Sequence, residues 1–284
     1  MKQIKTSKVV LGIVGSLVIL VIAQLAAQVL ANIFSIIRLP IFVCNAVAGV
    51  LYVVFAYLLL KVYAERVLKL QLSDLRIPKI KIKTKWLLIA FILPLVVVGI
   101  YLLFPGELQK GTMGSLEAAA VICAGIFFTG IAAGVVEEMV FRGFIMSLLD
   151  YKIGRMAAVL IPSLLFGLVH IIGMNFSIIS CLQVLAAGTF VGIMFSFITL
   201  ESRSVWSSVM VHGLWNIIVL GGVLSIGEGL DEYSVFSYIL ETKSFAITGG
   251  EFGIESSVIA IAGYIVVTLI AYAGMRKSSG GEDK

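Results

Sequence analysis

The sequence is poor in charge and in cysteine. Only 13% of its 284 residues are charged, whereas a soluble domain carries roughly 25%. Hydrophobic residues make up 60% of the chain, and the mean hydropathy is +1.11. The three cysteines all lie within apolar runs, and their odd number provides no disulfide framework. This composition excludes an ordinary soluble domain and indicates a membrane protein.

Several common functional motifs are also missing. With two histidines and no CxxC pair, the chain cannot form a classical zinc finger. Neither HExxH nor GxSxG occurs. The net charge of +5 does not indicate nucleic-acid binding, because the basic residues lie in short segments between apolar runs and form no basic face. We therefore expect no nucleic acid among the partners.

Eight apolar stretches have, or nearly have, the roughly 20 residues that a helix needs to span a bilayer. They are Val9–Phe34, Ile41–Leu60, Trp86–Phe104, Ala118–Leu149, Met156–Ile172, Ile178–Leu200, Val205–Leu224 and Val258–Met275. We predict an all-α, polytopic integral membrane protein with about eight transmembrane helices. Residues 1–85 would hold two helices and a basic cytoplasmic loop, and residues 86–284 six further helices.

Lysine and arginine are distributed unevenly between the two sides of these spans. Seventeen of the 21 fall in segments that eight spans place on one side, together with both termini, and three fall on the opposite side. The positive-inside rule then predicts that both termini are cytoplasmic. The basic segment 61–85 is expected to lie against anionic headgroups of the lipid bilayer. Short loops and the lack of added domains favour a bacterial plasma membrane.

The fourth span contains three charged residues, Glu137, Glu138 and Arg142. Charge at membrane depth costs at least about 2.5–3.5 kcal/mol per residue and points to function. Glu138 and Arg142 are four residues apart and can pair on one helix face, whereas Glu137 points about 100° away. One arginine cannot neutralise two carboxylates, so the other acid is a candidate general base. The alternative is a buried structural cluster, and the sequence does not decide which glutamate is the base.

Both histidines of the chain also lie within spans. His170 is near the end of span five, and His212 in span seven is four residues from Asn216, on the same helix face. We expect these groups and the glutamates to meet in one cavity. Two imidazoles, a carboxylate and an amide can activate a water for attack on a carbonyl and stabilise the resulting oxyanion. Direct attack by water is favoured over an acyl-enzyme, although a serine from another span is an alternative.

Three motifs, in this order, resemble the signature of the CAAX-protease and bacteriocin-processing family, also called the ABI family. They are Glu137-Glu138-x-x-x-Arg142, Phe166-x-x-x-His170 and His212-x-x-x-Asn216. The similarity runs from about Ala118 to Leu224, and the family includes the type II CAAX prenyl endopeptidases. The resemblance implies an all-helical intramembrane protease, typically with eight spans, whose catalytic core lies at about 118–224 and whose site opens towards the cytoplasm.

The resemblance also implies roles for the motif residues. Glu137 and His170 would activate the water, His212 and Asn216 would support the oxyanion, and the ion pair of span four would orient the site. A zinc ion or another divalent metal bound by Glu137, His170 and His212 is compatible with these residues. A metal-free glutamate–histidine pair is equally compatible.

The expected substrate is a peptide or a membrane protein. Many bacterial members of the family are linked to bacteriocin maturation, self-immunity or secretion, which disfavours a prenylated substrate here. One alternative is a non-catalytic membrane protein that binds a peptide or confers bacteriocin immunity. Another is a transporter, since polar groups at mid-depth also mark transport pathways, but the two halves of the sequence show no repeat that would support it.

Overall fold

The structure is a computed structural model that describes residues 5–173 and 177–279. Residues 1–4, 174–176 and 280–284 lie outside the described residues. The first of these ranges begins the predicted unit 1–85, and the last ends the predicted unit 86–284. The long helices are α1 Thr6–Ile36, α2 Ile41–Leu68, α3 Thr84–Tyr101, α4 Ser115–Ile153, α5 Arg155–Val169, α6 Ile178–Ser202, α7 Trp206–Leu220 and α8 Val258–Ser279.

Each of the eight predicted apolar stretches coincides with one of these helices. Six of them are long and apolar enough to cross a membrane, whereas α5 and α7 are shorter apolar helices. On α1, exposed side chains such as Val14, Val18 and Ile22 are apolar, as a helix face in contact with lipid must be. The chain is therefore a mostly helical integral membrane protein. A count of eight spans and the cytoplasmic location of the termini stay predictions.

The prediction of an all-α fold was incomplete, because the loops hold three short strands. They are β1 Gly106–Lys110, β2 Leu224–Gly227 and β3 Phe236–Leu240, in the order β1-β3-β2. β1 is antiparallel to β3, with Gly106 opposite Leu240, and β2 is parallel to β3, with Leu224 opposite Phe236. Because these strands follow α3 and α7, the sheet covers one end of the bundle, which we call the sheet side.

The opposite end, which we call the basic side, carries the basic segment 61–85. Here α2 finishes in a π-helical turn, Tyr63–Leu68, and a short 3-10 helix follows at Leu72–Leu75. The segment is tied to the bundle by an ion pair between Arg76 and Asp150 and by a hydrogen bond from the Trp206 indole to the Pro78 carbonyl, 2.7 Å long. This part of the predicted headgroup-binding segment therefore also packs against the helices.

Glycines let the helices around the site approach closely. A Cβ on Gly134 of α4 would lie 3.0 Å from the backbone of Gly213 of α7, and one on Gly188 of α6 would lie 2.5 Å from Cα of Gly167 of α5. Gly134 and Gly188 belong to the sequence pairs Gly130/Gly134 and Gly188/Gly192, and small residues spaced four apart are typical of closely packed membrane helices. Both contacts lie next to residues of the three motifs, so they set the spacing of the site.

Candidate active site

The helix that carries the two glutamates is irregular on both sides of them. In α4 the α-helical segment Ala133–Glu138 lies between two π-helical segments, Ala124–Ala132 and Met139–Ile145. π-Helical turns inside α-helices are found frequently at functional sites, where they reorient side chains. Glu137 and Glu138 are thus the last two residues of the α-helical segment that separates the two π-helical segments.

Glu138 and Arg142 form the predicted ion pair, and both side chains are fully buried. Arg142 Nη1 donates to Glu138 Oε1 at 2.9 Å, and Nη2 donates to the Gly192 carbonyl of α6 at 3.1 Å. The guanidinium lies over the rings of Phe166 and Phe195, 4.6 and 5.2 Å from their centroids, in cation–π geometry. The pair therefore joins α4, α5 and α6 behind the site.

His212 extends this pair towards the other glutamate. Its Nδ1 lies 3.1 Å from Glu138 Oε1, and a hydrogen bond to a carboxylate requires the proton on Nδ1. Nε2 then faces Glu137, 3.9 Å from Oε2. The ring stacks on Phe195 with centroids 4.7 Å apart and planes at 15°. Glu138 and Phe195 thus fix the orientation of the imidazole.

Glu137 is the carboxylate that has no lysine or arginine partner among the described residues, and its nearest basic group is the His212 ring. Its side chain is 24% exposed, whereas that of Glu138 is fully buried. Among the described residues, Glu137 Oε2 has no hydrogen-bond partner. Buried polar atoms nearly always have partners, and an exception asks for an explanation. A substrate or water held in the cavity provides one.

His170 immediately follows the last residue of α5. Its Nδ1 lies 2.6 Å from the Phe166 carbonyl, so Nδ1 donates and Nε2 keeps its lone pair in the neutral ring. The ring is partly buried and packs against Phe166, with centroids 4.6 Å apart, and against Phe252 at 6.3 Å. His170 can therefore accept a proton at Nε2.

Asn216 is buried at the point where α7 changes from α-helical to π-helical geometry. Its Nδ2 donates to the Thr129 carbonyl of α4 at 2.9 Å. Because a side-chain amide nitrogen carries two hydrogens, the second remains for a ligand.

The structure brings four of the six predicted site residues together on one cavity of about 200 Å³, lined by Glu137, His170, His212 and Asn216. Glu138 and Arg142 do not line it. The rest of the wall is largely apolar and includes Phe166 and Phe195. An acid, two imidazoles and an amide in a small apolar cavity can hold a water next to a carbonyl group.

Residues 118–218, a little over a third of the chain, match the family model described as type II CAAX prenyl endopeptidase Rce1-like. These residues form an Rce1-like domain. The matched range contains all six predicted site residues, and the resemblance inferred from the motifs is confirmed. No curated protein and no solved structure matches the chain. The Rce1-like domain suggests a protease that acts on a peptide or protein in the membrane.

The Rce1-like domain does not arrange a three-ligand metal site. In the part of the chain that the structure describes, no group of three His, Cys, Asp or Glu residues is placed to hold a metal ion. One nitrogen of each histidine is engaged, His170 Nδ1 by the Phe166 carbonyl and His212 Nδ1 by Glu138. These bonds leave Nε2 of both rings available, as in histidines that ligate metals, but Glu137, His170 and His212 do not converge as a three-ligand set among the described residues. The reaction proposed for this site therefore uses no metal.

Part of the cavity wall lies outside the Rce1-like domain and was missed by sequence reasoning. Phe252 and Glu255 reach the cavity from the loop between β3 and α8, and Tyr264 reaches it from α8. In the sequence, Glu255 is one of several acids in an extramembrane segment, and nothing distinguishes it from the others. The signal is three-dimensional, because this loop folds back over the end of the cavity.

Proposed function

We propose that this chain is an intramembrane endopeptidase that hydrolyses a peptide bond of a membrane-associated peptide or protein. One observation carries the proposal: Glu137, His170, His212 and Asn216 line a single small cavity in an Rce1-like domain. A cavity of this volume accepts one or two side chains and a stretch of backbone. We propose that the substrate binds there as an extended segment.

In the proposed reaction, Glu137 and His170 activate a water molecule. The carboxylate of Glu137, or Nε2 of His170, takes a proton as the water oxygen attacks the carbonyl carbon of the substrate. The C–N bond then breaks, and the leaving nitrogen receives that proton. The overall reaction is the hydrolysis of one peptide bond. It involves neither a covalent enzyme intermediate nor an oxidant. General acid–base catalysis of this kind contributes about 10²–10⁴-fold to the rate.

The oxyanion that forms during attack is stabilised by donors on α7. Asn216 donates through its second amide hydrogen, and the first holds the side chain against Thr129. His212 has Nδ1 engaged with Glu138 and donates from Nε2 when its ring carries a second proton. Removing one preorganised oxyanion donor costs about 10²–10³-fold in turnover in a well-studied protease.

The geometry favours Glu137 over Glu138 as the base. Glu138 is buried, is bonded to Arg142 and His212, and does not line the cavity. Its proposed role is to hold His212 in place. We also propose that the basic side faces the cytoplasm of a bacterial cell, in accordance with the distribution of lysine and arginine.

The test is cleavage of a library of apolar, membrane-inserting peptides by the purified full chain in lipid nanodiscs. Native protein should cleave a subset, and Glu137→Gln should lose that cleavage. Carried out in H₂¹⁸O, the reaction should place one ¹⁸O atom in the new carboxyl group. A matched control is Glu232→Gln, which removes an exposed carboxylate outside the cavity and should cleave like native protein.

Two results would contradict the proposal. Cleavage that persists in Glu137→Gln would remove the proposed base. Binding of peptides by native protein without cleavage of any would favour the alternative of a peptide-binding or immunity protein. Activity lost in chelator and restored by zinc would show that a metal takes part, which the arrangement of donors does not support.

A further inference from the structure

The cavity contains a second carboxyl group that the proposed mechanism does not use. Glu255 lines the same cavity as Glu137 but reaches it from the sheet side, just before α8 begins. It also lines a smaller cavity of about 120 Å³ under β2, which shares Leu220 and Phe252 with the first. Glu255 thus stands at the junction of the two cavities.

The loop that presents Glu255 is firmly held. The side-chain amide of Gln183 on α6 donates to the Ser256 carbonyl at 2.9 Å and to the Phe245 carbonyl at 3.2 Å. Glu251 accepts a hydrogen bond from Ser180 Oγ at 2.5 Å. Gly253, with φ of 100°, allows a turn that an L side chain would strain. The position of Glu255 is therefore built into the fold.

The carboxyl group of Glu255 has few partners in the part of the chain that the structure describes. The indole N–H of Trp215, which can only donate, lowers the pKa of this carboxyl group as a hydrogen-bond donor. The hydroxyl of Tyr264 donates to the backbone carbonyl of Glu255, 3.0 Å away, and so does not bind the carboxyl. Because a carboxylate offers about four acceptor positions and Glu255 lines both cavities, acceptor positions remain for a ligand.

The charges around Glu255 are unbalanced. Apart from the two histidines, no basic residue lines either cavity among the described residues, whereas two glutamates line the larger one. Burial raises the pKa of Glu255 to about 8, and the hydrogen bond from Trp215 offsets part of this effect. A cation next to the carboxyl would favour its ionised form. The rings of Phe252, Trp215 and Tyr264 in the same wall can also attract a cation.

We propose that Glu255 binds a lysine or arginine side chain of the substrate and so makes a cationic residue near the cleaved bond a determinant of specificity. This inference rests on the proposed function, since it places a peptide in the same cavity. Glu255 contributes a salt bridge to the bound peptide, and Glu137 acts on the peptide bond. A substrate with an acidic group at this position is disfavoured by both carboxylates.

The test measures binding as well as cleavage, so that the two proposals can fail separately. Two peptide sets are compared on full-length protein in nanodiscs: apolar ten-residue peptides with lysine scanned through each position, and the same peptides with glutamine in its place. Native protein should prefer lysine at one position by about tenfold or more. Glu255→Gln should lose this preference, Glu255→Asp should retain part of it, and Glu232→Gln should retain all of it.

The pH dependence adds a readout that a merely structural role would not produce. The preference for lysine should increase between pH 6.5 and 8.5, as Glu255 loses its proton. The other titratable groups that line the cavity are Glu137, His170, His212 and Tyr264, with Tyr101 near Tyr264. Because these are unchanged in Glu255→Gln, only the part of the pH dependence that this variant loses is assigned to Glu255.

Equal binding of the lysine and glutamine peptides by native protein would overturn the inference. A lysine preference that survives in folded Glu255→Gln would do the same. Binding with the expected preference but without cleavage would instead contradict the endopeptidase function and leave the cation site supported.

Discussion

Two carboxylates inside the helical bundle have opposite surroundings. Glu201, at the basic-side end of α6, accepts from Trp86 Nε1 at 2.8 Å through one oxygen and from Lys83 and Lys85 at 3.1 and 2.7 Å through the other. Glu137, in the middle of α4, has one oxygen without any hydrogen-bond partner among the described residues. Both oxygens of Glu201 accept hydrogen bonds, and these bonds attach the basic segment to α6. Glu137 instead has one oxygen available for a ligand in the cavity.

The difference shows how structural and functional charges can be told apart in an apolar bundle. A buried charge that serves stability is paired and fully hydrogen-bonded, because an unsatisfied buried group costs free energy. A charge that serves chemistry must keep an open position for its ligand. By this criterion His170 and Asn216 resemble Glu137. Glu138 resembles Glu201 in being paired, through Oε1, with Arg142 and His212, although its buried Oε2 has no hydrogen-bond partner among the described residues.

The largest effect on cleavage is expected from a substitution of His170, which, like Glu137, has a position available for a ligand. His170→Gln removes the lone pair at Nε2 and should lower the rate of peptide cleavage by about 10²–10⁴-fold. The unfolding temperature should change little, since the ring is only partly buried. Cleavage rates from mass spectrometry and thermal unfolding of the same samples would check this. Cleavage at the native rate would place His170 outside the mechanism.

A substitution of Arg142 tests whether the buried ion pair with Glu138 stabilises the fold. Arg142→Ala leaves Glu138 buried without its counter-charge and should lower the free energy of unfolding by about 3–5 kcal/mol. The double variant Glu138→Gln with Arg142→Met removes both charges and should be more stable than Arg142→Ala, because no uncompensated charge stays buried. Denaturant unfolding in detergent would measure both. Arg142→Ala as stable as native protein would show that the ion pair is not structural.

A substitution at Gly134 tests whether the distance between α4 and α7 determines the relative positions of Glu137 and His212. A Cβ in Gly134→Ala would lie 3.0 Å from the Gly213 backbone and should lower stability by about 1–3 kcal/mol. The same displacement should slow cleavage about tenfold or more, since a misplacement of 1 Å can cost about 10²-fold. In the control Gly99→Ala, the added Cβ meets nothing within 4 Å, so activity and stability should stay close to native values.

The smallest effect is expected from Glu201. Glu201→Gln keeps a hydrogen-bonding side chain but removes the charge, and its two lysine partners are 42% and 39% exposed. Solvent screening limits the loss to about 1 kcal/mol of unfolding free energy. Thermal unfolding should therefore show a small decrease, and peptide cleavage should be unchanged. A large loss of activity would mean that the basic segment contributes to the site.

Much of the helical architecture could be predicted because the bilayer imposes a simple rule. Long apolar runs form helices there, and charged residues within them are few enough to be examined one by one. Glu137, Glu138 and Arg142 of α4 can therefore be identified as candidate site residues from the sequence. The close contact of Gly134 with Gly213 agrees with the spacing of Gly130 and Gly134, since small residues four apart let membrane helices approach.

Other features depend on contacts between residues distant in sequence. Strands β1 and β3 are five residues long each and pair across about 130 positions, so no local pattern identifies them. The choice between Glu137 and Glu138 depends on how α4 is rotated against α7. Glu255 lies in a polar loop, and only the folding of that loop over α6 brings its side chain to the cavity.

The most direct test compares the two carboxylates in one experiment. The rate of cleavage of a single library-derived peptide is measured for native protein, Glu137→Gln and Glu201→Gln, each confirmed as folded by thermal unfolding. We predict that Glu137→Gln loses at least about 10²-fold in rate and that Glu201→Gln cleaves like native protein. Equal rates in the two variants, or a loss confined to Glu201→Gln, would contradict it.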